Sequence, residues 1–306
     1  MMRAGWFLIV LGLLAGCPED PSSRDDPDPR PRPMPDGGVI DGPGGPGVVA
    51  DLLPFKLVAK AATYQTRVEQ VSGAGLDAAM ASMASAGYAV TAATTNTAGY
   101  TLFGVKPTGS TATYTTRVAQ VAGSGLDTTL ATFAADGYAV TAALTNTAGY
   151  TFLGLRPTGG GAYQAQVRQV SGSQLSTSVD ELAVGGYAVT AATTNTAGYT
   201  LLALRPASST QARPQQVQQS SGAGLQEAVV QAAGQGFVPT ALLSNTAGYT
   251  TFLVKPVGAV AQLGARLEQV AGSQLSDTAA SLGAAGYVIT AATTNTAGYT
   301  LLAVRR

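Results

Sequence analysis

Residues 96–101 read Asn-Thr-Ala-Gly-Tyr-Thr, and the rest of the sequence is organised around this hexapeptide. The same six residues recur unchanged at 146–151, 195–200, 245–250 and 295–300, in steps of 50, 49, 50 and 50 residues. A fixed period of this length is typical of a protein built from small repeated units. Segments between the copies recur with the same spacing but vary more in sequence. We therefore expect five related units, each containing one copy of the hexapeptide.

The first unit, residues 62–111, has the pattern of a strand, a helix and two further strands. Alternating, β-favouring residues indicate its first strand. Apolar residues at Leu76, Met80 and Met83 then follow the spacing of one helix face. Gly87 stands where a left-handed helix cap is expected, and the hexapeptide lies between the last two strands as a hairpin loop. The predicted strands cover residues 64–71, 88–95 and 100–106.

These patterns predict an α+β fold made of five tandem β-α-β-β repeats. The third strand is apolar on both faces, so its second face needs a cover, which the neighbouring unit can supply. One unit alone would bury too little surface to be stable. In the fourth unit Pro239 interrupts the second strand, which predicts an edge position or a bulge there. The expected repeats are 62–111, 112–161, 162–210, 211–259 and 260–306.

Two arrangements of the five units fit the sequence. In an open array the units stack side by side and the ends need caps, whereas in a closed ring the last unit meets the first. Read cyclically, each period is one helix followed by three strands, and this order in five units resembles the five-bladed α/β propeller of the pentein superfold. The resemblance implies a ring, which we favour over the array. The catalytic penteins use Cys, His and acidic residues, so their activity is not expected of a body without Cys or His.

Single units also resemble another group of proteins. The order of strand, helix, Gly-aromatic pair, hairpin and strand ending in Lys or Arg is similar to a family of small uncharacterised bacterial domains. That family usually has Gly-Trp where the first unit has Gly87-Tyr88, and the resemblance to it implies no function. One further segment bears on the architecture, because residues 52–56 align with residues 102–106. We expect an extra strand within 52–61, which could cap an array or add a strand to a ring.

The N-terminus predicts secretion and lipid anchoring. Residues 1–16 combine a basic start, an apolar run and small residues at the end, as a signal peptide does. The ending Leu14-Ala15-Gly16-Cys17 resembles the lipobox of bacterial lipoproteins, which implies cleavage before Cys17 and acylation of its thiol. The partner would then be a membrane in the bacterial cell envelope, and Pro18 favours the outer membrane. Residues 17–51, rich in Pro, Asp and Gly, are expected to form a disordered tether.

Composition argues against several classes of function. The chain contains no His and a single Cys, so we expect no disulfide, no His or Cys metal site and no cofactor in the body. From residue 52 onward 13 basic and 9 acidic side chains are scattered along the chain, which is too few bases for a nucleic-acid partner. Ser and Thr are plentiful, but a nucleophile needs a base beside it. We therefore expect a protein that is not an enzyme.

The hexapeptide loops are the candidate binding surface. Asn and Gly suit a hairpin loop, but turn geometry does not explain why the other positions are also identical, although recent duplication could. Five such loops on one rim would present Asn, Thr and Tyr side chains, which suit contact with a glycan, a peptide or an envelope protein. The candidate residues are Asn96, Tyr100, Asn146, Tyr150, Asn195, Tyr199, Asn245, Tyr249, Asn295 and Tyr299.

Two other interpretations stay open at this point. The chain could instead be a purely structural spacer or surface-coat protein, in which the loops only hold the repeat together. Each third strand also ends in a base, which we interpret as a solvated strand end, with a weak anion site as the alternative. These bases are Lys106, Arg156, Arg205, Lys255 and Arg305.

Overall fold

The computed structural model describes residues 63–146, 149–246, 248–256 and 262–306. The expected signal peptide, tether and extra strand lie outside these residues. Five units, each with one helix and a three-stranded sheet, make up a mixed α/β body. The first strands are β1 (Tyr64–Val71), β4 (Tyr114–Val121), β7 (Tyr163–Val170), β10 (Gln215–Ser220) and β13 (Gly264–Val270). The helices are α1 (Leu76–Ser85), α2 (Leu126–Ala135), α3 (Leu175–Val184), α4 (Leu225–Gly234) and α5 (Leu275–Ala284).

The second and third strands of each unit form the hairpin that carries the hexapeptide. The second strands are β2 (Ala89–Asn96), β5 (Ala139–Asn146), β8 (Ala188–Asn195), β11 (Val238–Asn245) and β14 (Val288–Asn295). The third strands are β3 (Gly99–Pro107), β6 (Gly149–Pro157), β9 (Gly198–Pro206), β12 (Gly248–Val254) and β15 (Gly298–Arg305). The repeated β-α-β-β order predicted from the sequence is therefore confirmed.

In every sheet the third strand lies in the middle and is antiparallel to both neighbours. The second strand is an edge strand with a shift of register, which in the first unit falls between Val90 and Ala92 and makes Thr91 the extra residue of a bulge. The fourth unit has its shift between Pro239 and Ala241, so the bulge expected there is confirmed. Its cause is not the proline, since all five units have the same bulge.

Each helix follows its apolar stripe and ends in a glycine cap. In α1 the side chains of Leu76, Met80 and Met83 are fully buried. The helix ends because Gly87 adopts a φ of 83°, which lets the Tyr88 N–H donate to the Met83 carbonyl at 2.9 Å. This Schellman arrangement satisfies carbonyls that the helix itself leaves free. The equivalent bond recurs in the other four units.

The core lies between neighbouring units as well as within them. Leu102 on one face of β3 packs with Leu153 of the second unit, whereas Phe103 on the other face packs with Leu301 of the fifth unit. Both faces of the third strand are therefore covered, as its apolar sequence requires. Each helix lies against the first strand of the following unit, and α5 of the fifth unit lies against β1 of the first.

Side-chain volumes are matched where the helix meets the third strand of its own unit. In the second unit Gly154 lies under Phe133, and a Cβ at Gly154 would come within 2.6 Å of the phenyl ring. In the fourth unit the large side chain is on the strand and the small one on the helix, because Leu253 packs there against Ala232. Among the described residues no helix is both long and apolar enough to cross a membrane.

Candidate functional site

The hexapeptide forms a tight loop in which Asn and Gly have separate tasks. The Asn96 Oδ1 accepts a hydrogen bond from the Ala98 N–H at 2.8 Å, which closes an Asx turn. Gly99 has a φ of 135°, and a Cβ there would overlap the carbonyl oxygen of Val71 on the neighbouring strand. Only glycine fits this position. The same Asx bond is present at Asn195 and Asn295.

The loop tyrosines are buried and connect neighbouring units. The Tyr150 hydroxyl accepts from the Asn195 Nδ2 at 2.8 Å and from the Gln169 Nε2 at 3.4 Å, and it shares a hydrogen bond with the Thr200 Oγ1 at 3.3 Å. All three partners belong to the following unit. Exposed fractions of the five tyrosines are only 6–8%. They are Tyr100, Tyr150, Tyr199, Tyr249 and Tyr299.

The fifth unit makes the same contacts with the first. The Tyr299 hydroxyl accepts from the Gln70 Nε2 and the Asn96 Nδ2, both at 2.9 Å, and shares a hydrogen bond with the Thr101 Oγ1 at 3.1 Å. The buried Thr91 Oγ1, at the bulge of β2, also donates to the Ile289 carbonyl at 2.5 Å. Four of the five tyrosines bond the asparagine of the next loop, and Tyr199 bonds Gln219 and Thr250 of the next unit, so the five loops lie side by side. We call this the hairpin end.

These positions correct the expectation that the tyrosines are presented on a rim. The phenyl rings lie in the cores between units, and a buried tyrosine hydroxyl needs hydrogen-bond partners, which the next unit supplies. Sequence reasoning missed the glutamine partner, although a Gln recurs at the end of every first strand. These glutamines are Gln70, Gln120, Gln169, Gln219 and Gln269.

Only part of each hexapeptide remains exposed. The asparagine is exposed, and the residues of the Thr-Ala pair that follows it are exposed wherever the structure describes them. In the part of the chain that the structure describes, the hydroxyls of Thr97, Thr196, Thr246 and Thr296 form no hydrogen bond with the protein. The second and fourth loops contain residues outside the described ranges. The exposed pair is therefore the portion of the motif that contacts between units do not explain.

A cavity of about 150 Å³ lies among the second strands of all five units. Its lining consists of Ala, Thr, Leu and Ser side chains directly before the hexapeptide loops, and it contains no titratable group. Hydroxyls near the loops bridge neighbouring units, since the Thr294 Oγ1 donates to the Thr95 carbonyl at 2.8 Å and the Ser244 Oγ to the Thr294 carbonyl at 3.1 Å. Leu144 and Leu243 replace threonine on two sides of the cavity.

The bases at the ends of the third strands lie at the opposite end of the units, which we call the base end. Arg205 stacks on Tyr187, with 4.6 Å from its Cζ to the ring centroid, and its guanidinium donates to the Gly185 carbonyl at 2.8 Å. Lys106 caps the Ala86 carbonyl at 2.9 Å. Each base therefore lies over the aromatic residue that follows its helix, while its side chain stays at least partly exposed to solvent.

The described residues contain no group of three His, Cys, Asp or Glu side chains that could hold a metal ion. Cys17, the predicted lipidation site, lies outside the described ranges. No protein-family model matches the chain, and no curated protein is detectably similar to it in sequence. The geometry at the hairpin end thus has to support any functional conclusion by itself.

Proposed function

We propose that the protein is a lipid-anchored lipoprotein of the bacterial cell envelope whose five-unit body binds a partner without catalysis. The lipobox-like ending at Cys17 supports the anchor, and Pro18 favours the outer membrane. The body would be held away from the membrane by the tether at 17–51. Binding would occur at the hairpin end, through the exposed parts of the five loops.

We also infer that the five units close into a ring. Support comes from the contacts of the fifth unit with the first, which use the same atoms as the contacts between consecutive units. The cavity lined by all five second strands would then be the centre of the ring. A ring leaves no end sheet without a cover, whereas an open array would need caps.

One observation carries the binding proposal. The Thr-Ala pair has the same sequence in all five units and is exposed wherever the structure describes it, although the described contacts between units do not require it. Around it, the loops and the cavity lining provide hydroxyls, amides and methyl groups without charge. Such a surface complements a neutral polar ligand, such as a glycan or an extended peptide. The hydroxyls in the cavity have no base among the lining residues, which supports binding without catalysis.

The test removes only the exposed hydroxyls. Replacing Thr97, Thr147, Thr196, Thr246 and Thr296 with Val keeps the loop shape and should abolish capture of an envelope glycan or peptide component from extracts, with an unchanged circular dichroism spectrum. The control is Thr132→Val, an exposed position in the second half of α2, on the side of the unit away from the loops. Capture that survives the five substitutions, or a wild-type chain that captures nothing, would overturn the proposal.

A structural spacer or surface-coat protein is the second candidate function. It is favoured by the tyrosine and asparagine contacts, which use most of the hexapeptide to hold units together. The two candidates differ in the capture experiment, because a spacer needs no bound component. They also differ in what the exposed Thr-Ala pair contributes, since a spacer tolerates any small polar loop there.

A further inference from the structure

The five bases of the third strands collect at the end of the body where the chain enters it. In the first unit Lys106 pairs with Gln65 near the start of β1, whereas the loop residue Tyr100 pairs with Val71 at its finish. Thr63, the first described residue, immediately precedes this pair of strand ends. The base end and the hairpin end therefore lie at opposite ends of the strands.

These bases keep their charge without a counter-charge. Arg67, Arg117 and Arg266 form ion pairs with acidic side chains. None of the five strand-end bases does so among the residues that the structure describes. Their partners are carbonyls, hydroxyls, amide oxygens and aromatic rings, which orient a cation but do not neutralise it. The Arg156 guanidinium, for example, donates from Nε to the Thr115 hydroxyl and from Nη1 to the Asp136 backbone carbonyl. Its other N–H groups have no hydrogen-bond partner among the described residues.

Acidic side chains are mostly placed elsewhere. Asp77, Asp127, Glu227 and Asp277 lie in the first helical turns, next to the hairpin end, where the helix dipole favours negative charge. Asp136 lies at the base end, but it is paired with Arg117 at 2.6 Å. Asp180 and Glu181, in the second half of α3, also lie on that side and form no ion pair in the described structure. The base end therefore carries five unpaired strand-end bases against two unpaired acids among the described residues.

We propose that the base end binds the anionic phospholipid headgroups of a membrane leaflet, so that the hairpin end faces away from the membrane. Each base is fixed to its own unit by its own aromatic ring, and four of the five also by a helix-end carbonyl, so the five favour a broad anionic surface over one small anion. Bases near an anionic leaflet attract it additively. The membrane location rests on the proposed lipid anchor, but the binding itself needs no acyl group.

The experiment uses the mature chain with Cys17→Ser, which carries no acyl group. Sedimentation with phosphatidylcholine vesicles, with or without phosphatidylglycerol, should show binding only when the anionic lipid is present, and raised salt should abolish it. The triple variant Lys106→Gln, Arg156→Gln and Arg205→Gln should weaken binding about 100-fold, at about five-fold for each base. A far-UV spectrum checks the fold, since these bases also cap helices.

The control triple removes three complete ion pairs, Arg67 with Glu69, Arg117 with Asp136 and Arg266 with Glu268, by Arg→Gln, Glu→Gln and Asp→Asn. It leaves the net charge unchanged and should weaken vesicle binding by less than about ten-fold, because each pair contributes little net charge to the surface. If the first triple variant unfolds, Arg305→Gln with Arg306→Gln tests the exposed bases instead. Equal losses in both triples, binding to neutral vesicles, or competition by inorganic phosphate at matched ionic strength would overturn the proposal. None of these results depends on loop capture or on acylation.

Discussion

The tyrosine hydroxyl of each hexapeptide is the atom at which neighbouring units meet. In the best-defined case, Tyr299, it contacts a glutamine, an asparagine and a threonine of another unit within 3.1 Å. The asparagine serves twice, because its oxygen closes its own loop and its nitrogen reaches the tyrosine. Glycine, tyrosine, asparagine and the last threonine are therefore needed together, and none can vary without loss of a buried contact.

Removal of one hydroxyl should measure this contact. Tyr199→Phe leaves the Gln219 Nε2 and the Thr250 Oγ1 without their shared partner. We expect the free energy of unfolding to fall by about 1–3 kcal/mol, since buried polar groups lose their hydrogen bonds. Chemical denaturation measures the change. Tyr138→Phe is the control and should change stability by less than about 0.5 kcal/mol, because its hydroxyl makes no hydrogen bond in the described structure. Equal effects of the two substitutions would contradict the role given to the loop tyrosines.

At the scale of elements, the helix and the third strand of each unit share one fixed space. The second unit fills it with Phe133 over Gly154, and the fourth fills it with Leu253 against Ala232. Close packing of protein interiors makes the two positions interdependent. The sequence differences between units at these two positions thus compensate each other across this contact.

A double-mutant cycle tests that compensation. Phe133→Ala should destabilise by about 3–5 kcal/mol through a cavity, and Gly154→Leu by about 1–3 kcal/mol or more through overpacking. Together they recreate the arrangement of the fourth unit, so the double variant should be at least about 1 kcal/mol more stable than additivity predicts. As a control, Phe133→Ala with Gly234→Ala should be additive, since a Cβ at Gly234 meets nothing within 4 Å. Additivity of the first pair would refute the matched volumes.

The sequence predicted the helices and strands more accurately than it predicted the contacts between units. β1 has the predicted bounds, and the hexapeptide lies at the predicted hairpin, because period and turn residues report local structure. Burial of Tyr100 was missed, since an aromatic hydroxyl in a loop gives no periodic signal. The bulge at Thr91 and the stacking of Lys106 on Tyr88 depend on residues far apart in sequence, and local patterns do not report such pairs.

At the scale of the whole body, the central claim is that the fifth unit closes a ring by contacting the first. The Thr294 and Thr94 hydroxyl oxygens are 3.3 Å apart, and the equivalent Ser244 and Thr293 oxygens of consecutive units are 3.1 Å apart. The proposed ring treats these two contacts as the same interface. An open array would contain the second contact but lack the first, because its terminal units never meet.

Disulfide trapping distinguishes these arrangements most directly. In a Cys17→Ser background, the pair Thr94→Cys with Thr294→Cys joins the first and fifth units, and Ser244→Cys with Thr293→Cys is the control between consecutive units. Each pair of cysteine sulfurs would replace two side-chain oxygens that lie in direct contact. Mass spectrometry after mild oxidation should find both disulfides within single chains and to a similar extent. The ring would be contradicted if the control disulfide formed while the disulfide between the first and fifth units did not, or if the latter formed only between separate chains.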